Sequence, residues 1–215
     1  MSTVIPCEIV RCQPGKGFWT FTPFRKTELL NLQRMKTATV LTDGREITPE
    51  QRKHIYATLK DIGLWSGFVG EEIKAVMKYE FIARTGAEYF SLSNCDMTTA
   101  REFLTFLLDF CVENGVSSDG SLIERAPDIG RYVYACIANR KCCITGGPAD
   151  LHHVDAVGMG RDREEIIQRG MRVLPLCREK HQEAHTLSRE SFLKKYHLEP
   201  VTLDEYLCMV LGIRR

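Results

Sequence analysis

No apolar run in this chain approaches the roughly 20 residues that a bilayer-spanning helix needs, so a membrane protein of helical type is excluded. The opening stretch, MSTVIPCEIVRC, lacks a basic segment followed by a long apolar one, which argues against export and for a cytoplasmic setting. Excess charge is missing as well. Against 29 Lys+Arg stand 28 Asp+Glu, a formal net charge of +1, so binding to nucleic acid through bulk positive charge is excluded and any DNA contact has to be local. No internal repeat and no low-complexity tract appears, which removes solenoids and linkers from consideration.

What is present is a chain of 215 residues, 44% apolar and 27% charged, in the range of one large globular domain or two small ones. The nine cysteines are odd in number and lie in a chain too long to need stapling, so they are thiols, to be judged as metal ligands or core residues. Histidine is distributed unevenly. His54 stands alone early, whereas His152, His153, His181, His185 and His197 all follow residue 150.

The first 42 residues alternate β-branched and aromatic residues with turn formers and predict two or three short strands with a loop or small helix near residues 26–35. Thr48, Pro49 and Gln51 form a capping box that opens a helix ending at Gly63. A second helix is expected from Glu71 to Ala83, with Ile73, Val76, Met77 and Phe81 facing the core. Thr99 and Glu102 give a third start, carrying the stripe Phe103, Phe106, Leu107, Phe110 and Cys111 to Gly115. VSSDGSLIERAPD, residues 116–128, has the small, polar composition of a boundary. We therefore expect an α+β chain of two regions, 1–120 and 121–215. A further helix is expected over Ile129–Asn139, and a terminal one capped by Thr202 and Glu205.

The chemistry lies between Cys142 and Thr186. His181 and His185 stand at i, i+4 on an expected helix, so both imidazoles share one face and can share one cation. His152 and His153 sit in an expected strand after the Gly146-Gly147 turn, where neighbouring side chains point to opposite sides. One of the pair is suited to bind metal, and the other is left for a different task.

These strings, HHVDAVGMGR and PLCREKHQEAH, resemble the HNH nuclease motif, the ββα-metal finger. The resemblance implies that His152, His181 and His185 hold one divalent cation (Mg²⁺ or Mn²⁺, with Zn²⁺ or Ni²⁺ as alternatives) and that His153 is the general base of phosphodiester hydrolysis. The chemistry suits the assignment, because histidine titrates near neutrality and a cation stabilises the leaving 3′ oxygen. Two departures from the motif stand out. Arg172 occupies the place of the central Asn that orients the base in many members; a guanidinium cannot accept a hydrogen bond, so a backbone carbonyl, Asp155 or Asp162 has to serve instead. Thr145 and Lys180 replace the second cysteine of two CxxC pairs, so no four-cysteine zinc site is available. Cys142 and Cys177 are the candidates for a structural zinc held some other way, for instance with Cys143, and none is expected.

Residues 45–115 are similar to the lambda Orf (NinB) group of recombination mediators, which bind single-stranded DNA and form dimers. The whole chain resembles phage-encoded proteins that join such a region to an HNH finger. The resemblance implies a DNA endonuclease of phage recombination or replication acting on single-stranded or branched DNA, a homodimer, in the cytoplasm of a bacterial host whose single-strand-binding protein is a candidate partner. Arg161, Arg163 and Arg172, with Arg169, are the candidate DNA contacts. The aromatics of FWTF suit base stacking or a strand with one buried face. Two other readings fit the residues: a non-catalytic, DNA-binding mediator with a merely structural finger, and a redox or zinc protein built on the cysteines. His54 reads as a helix-surface residue, and His197 as a helix-end residue.

Overall fold

The structure, a computed structural model, describes residues 45–154 and 168–213 in full and 8–13 and 17–21 as backbone. It divides into two compact units, Met1–Thr42 and Asp43–Arg215. In the first, β1 (Glu8–Gln13) pairs antiparallel with β2 (Gly17–Phe21), with an irregularity between Ile9 and Arg11. These are two of the expected strands; the third strand and the helix near 26–35 lie outside the described residues.

The second unit begins with three long helices. In α1 (Pro49–Ser66) the Thr48 hydroxyl accepts from Gln51 N–H and the Gln51 side chain accepts from Thr48 N–H, the expected capping box. Ile55, Leu59 and Ile62 are buried as their spacing requires. The helix does not stop at Gly63. A Cβ there would lie 2.7 Å from the Phe68 carbonyl oxygen, so this glycine permits a close approach, and Gly67 ends the helix at φ 83. The second helix, α2 (Glu71–Thr85), runs to Gly86 and buries Ile73, Met77 and Phe81, whereas Val76 faces solvent. For α3 (Met97–Asn114) the cap is Asp96, not Thr99: its carboxylate accepts from the N–H groups of Thr98 and Thr99, which starts the helix earlier than the Thr99–Glu102 pair suggests. Phe81, Phe90 and Phe103 meet edge to face at centroid distances of 5.8, 5.4 and 5.2 Å. Burial of each such ring contributes about 1.5–3 kcal/mol.

The polar stretch 116–128 lies inside this compact unit. It holds a 3-10 turn, Leu122–Arg125, from which Arg125 reaches 2.6 Å to the buried Asp61 of α1 and donates to the Asp119 carbonyl. The expected boundary near residue 120 is therefore not a break in packing. α4 (Ile129–Ala138) follows as expected and buries Tyr132, Val133, Cys136 and Ile137.

A three-stranded antiparallel sheet then forms in the order β3 (Asp150–His153), β4 (Arg172–Leu176), β5 (Val201–Thr202). Pro175 in β4 has no N–H for a ladder, and its carbonyl accepts from Cys143 N–H at 3.1 Å. α5 (Arg178–Thr186) packs on β3 and β4, followed by α6 (Arg189–Tyr196) and α7 (Glu205–Leu211). The α7 cap is Asp204, since Thr202 belongs to β5. The Tyr134 hydroxyl donates to Asp204, and Arg140 donates to the Leu211 carbonyl, so α4 carries the sheet's terminal helix. Among the described residues no helix is long and apolar enough to cross a membrane. The second unit is α+β.

Candidate metal centre

The strand places His152 and His153 on opposite sides, and each meets a different partner. His152 faces α5, where His181 and His185 lie one turn apart. The three rings sit at centroid distances of 4.8 Å (152–181), 5.0 Å (152–185) and 5.0 Å (181–185). Their ligand nitrogens all lie within 4.8 Å of one another, the one such grouping of His, Cys, Asp and Glu among the described residues. The Nδ1 atom of His152 is buried without a hydrogen-bond partner. An orphaned buried nitrogen carries a desolvation cost unless something binds it. Burial, and then the neighbouring imidazoles of His181, His185 and His153, push the His152 pKa down to about 4. The ring is thus neutral at physiological pH, the form a cation requires. Three imidazoles, two half-buried and His185 exposed, fit one divalent cation with an open side for a further ligand.

On the other side of the strand, His153 Nε2 lies 3.2 Å from Gln168 Oε1. An amide oxygen only accepts, so this bond puts the ring proton on Nε2 and leaves the Nδ1 lone pair available. Gln168 is held by its own turn: Met171 N–H donates to the Gln168 carbonyl, Gly170 N–H donates to the Leu203 carbonyl, and Gly170 has φ 86. Sequence reasoning missed this residue and looked to a backbone carbonyl, Asp155 or Asp162; both aspartates lie outside the described residues. A polar side chain just ahead of the second strand was the available signal.

Arg172 is the first residue of β4, exposed, paired in register with Thr202. Arg169 is exposed in the turn beside Gln168. Arg161 and Arg163 lie outside the described residues. His54 on α1 and His197, which caps α6 at φ 52, are not members of the cluster.

Of the two zinc-type cysteines, Cys142 has other partners. Burial alone would raise the Cys142 thiol, but the Thr145 hydroxyl and the N–H groups of Cys177, Thr145 and Ile144 donate to its sulfur and hold it below the usual thiol value. Lys180 turns away, donating to Glu183 at 3.0 Å and to the Tyr196 hydroxyl at 3.2 Å. Cys143 is buried. No third ligand joins Cys142 and Cys177 among the described residues.

Two antiparallel strands followed by a helix, with imidazoles gathered between them, make the layout of a ββα-metal finger. The particular family is given by comparison: the one described as “Putative HNHc nuclease” matches residues 25–213, and the chain belongs to it. No curated protein matches the chain, and no solved structure does.

Proposed function

We propose that this protein is a metal-dependent DNA endonuclease in which His152, His181 and His185 hold a single divalent cation and His153 is the general base. The observation that carries the reading is the division of the His152-His153 pair: one ring sits in a three-imidazole cluster with an orphaned Nδ1, and the other is fixed through Nε2 to Gln168. When bound, the cation supplies charge neutralisation at the phosphate and at the departing 3′ oxygen. His153 takes a proton on Nδ1 from the attacking water. The water oxygen bonds to phosphorus, the bond from phosphorus to the 3′ oxygen breaks, that oxygen takes a proton from solvent, and the products carry 5′-phosphate and 3′-hydroxyl ends. Gln168 keeps the ring in the tautomer that can accept, and it stabilises the imidazolium that forms. Arg169 and Arg172, both exposed, and Arg161 and Arg163 serve as phosphate contacts.

The wider setting follows the sequence resemblance: an Orf-like first region, a phage recombination or replication role, single-stranded or branched DNA as substrate, a homodimer that presents two fingers, and the host single-strand-binding protein as partner. The experiment compares wild type with His153→Ala on plasmid, forked and single-stranded DNA with Mg²⁺ or Mn²⁺. Nicking is expected to fall by about 10²–10⁴-fold while metal content and DNA binding persist. Equal, negligible cutting by both proteins would instead favour a mediator whose finger is structural.

A further inference from the structure

A second polar site lies on the helical part of this unit. Tyr56, Lys74, Lys78, Tyr79, Tyr89 and Ser93 border a cleft of about 340 Å³ between α1, α2 and the segment after α2, with Glu71 at its rim. Its tyrosines do not serve the core: Tyr56, Tyr79 and Tyr89 are 44%, 64% and 71% exposed. The Tyr79 and Tyr89 rings stand 6.4 Å apart. Lys78 is 6% exposed, yet among the described residues no carboxylate pairs with it. Its ammonium meets aromatic faces instead, 4.1 Å from the Tyr89 ring centre and 4.9 Å from that of Phe90. Lys74 lies 5.9 Å from the Tyr56 ring centre and is ion-paired with Glu71.

A charge sunk in a polar cleft without a counter-ion is well placed for an anion that arrives from outside. The aromatic faces around it specify what else that anion carries. Lys53, Tyr56 and Lys60 follow one another at i, i+3 and i+7 along α1, and both lysines are exposed, so a basic track leads past the cleft. Arg52 donates to the carbonyls of Leu92 and Ser93 at 2.9 and 2.7 Å and so fixes the cleft's far wall.

We infer that this cleft binds a segment of single-stranded nucleic acid, with unpaired bases stacked on Tyr79 and Tyr89 and a phosphate drawn to Lys78. Duplex DNA hides its base faces, so stacking on open tyrosines selects unpaired strands. An acidic peptide is less well matched, because Glu71 already neutralises Lys74 and only one ammonium at the centre is left for several carboxylates. The inference rests on the nucleic-acid reading above but not on catalysis.

The test is fluorescence anisotropy of a labelled oligothymidylate in EDTA, where no cutting occurs, using wild type, Tyr79→Ala, Tyr89→Ala and Tyr89→Phe, with circular dichroism confirming that each is folded. Each alanine variant is expected to bind roughly tenfold or more weakly. Tyr89→Phe, which keeps the stacking ring, is expected to bind as wild type does. Wild-type affinity in both alanine variants, no affinity for the oligonucleotide in wild type, or displacement of the oligonucleotide by a stoichiometric acidic peptide would each overturn the assignment. A protein that binds through the cleft and never nicks would break the nuclease reading alone.

Discussion

Helix α3 and helix α5 belong to the same compact unit and are held by opposite means. α3 has 18 residues and buries Ala100, Phe103, Leu104, Phe106, Leu107, Leu108, Cys111 and Val112, whereas α5 has nine residues and buries none. A nine-residue helix is too short to persist alone in water, so α5 depends on what its polar side chains reach. On one face His181 and His185 turn to His152. On the other, Glu183 accepts from Lys195 at 2.6 Å, from Tyr196 at 2.8 Å and from Lys180 at 3.0 Å, which ties α5 to α6. The apolar region thus has its shape fixed by burial, while the finger's shape is exposed to metal, pH and ionic strength.

That contrast can be broken by experiment. The largest effect is expected for Phe103→Ala, which removes the ring at the centre of the aromatic cluster and costs about 3–5 kcal/mol; denaturant unfolding reads the loss, and a small change would mean that the cluster is not what holds the helices. Next comes metal. A cation present at a hundred times its Kd stabilises the folded chain by about 2.7 kcal/mol, and chelation is expected to raise amide exchange in α5 while α1 to α3 keep their protection. Equal loosening of both regions would erase the distinction. A smaller effect belongs to Gln168→Leu: nicking is expected to fall about tenfold, with metal content unchanged and the pH profile displaced, whereas loss of metal would move Gln168 from positioning to folding.

The smallest effect concerns Glu183. Lys195 first, then Lys180 and Tyr196, hold its carboxyl down at about 2. A depressed carboxyl contributes fully above the ordinary carboxylate pKa, about 4.3, and its contribution is lost as pH falls through about 2. Acid titration of the wild type should therefore preserve the contact between α5 and α6 well below pH 4. Glu183→Gln should make that contact insensitive to pH across the same window, read from the Tyr196 ring resonances.

Much of this was legible from local pattern. The i, i+4 histidines, the strand that separates His152 from His153, the capping box at Thr48 and the helix over 129–138 each depend on residues close in sequence. What escaped depends on partners far away. Gly63 resembles a stop signal until the Phe68 carbonyl beside it is known. Residues 116–128 have the composition of a linker, but Arg125 pairs with an aspartate 64 positions earlier. Thr99 and Glu102 imitate a capping box, while Asp96 holds the N–H groups that matter. Gln168 is 15 residues from the imidazole it fixes, and no spacing rule connects them. The positions that would complete two CxxC pairs are filled by Thr145, which donates to Cys142, and by Lys180, which enters the Glu183 network.

Pro175 has one more consequence. A short sheet with an open flank is a template on which foreign chains can add strands and aggregate. β5 covers only the Arg172–Val173 end of β4. Further along, the proline offers no donor and its carbonyl is already taken by Cys143, so an intruding strand would find nothing to zip onto. Replacing Pro175 would leave a donor there for such a strand to find.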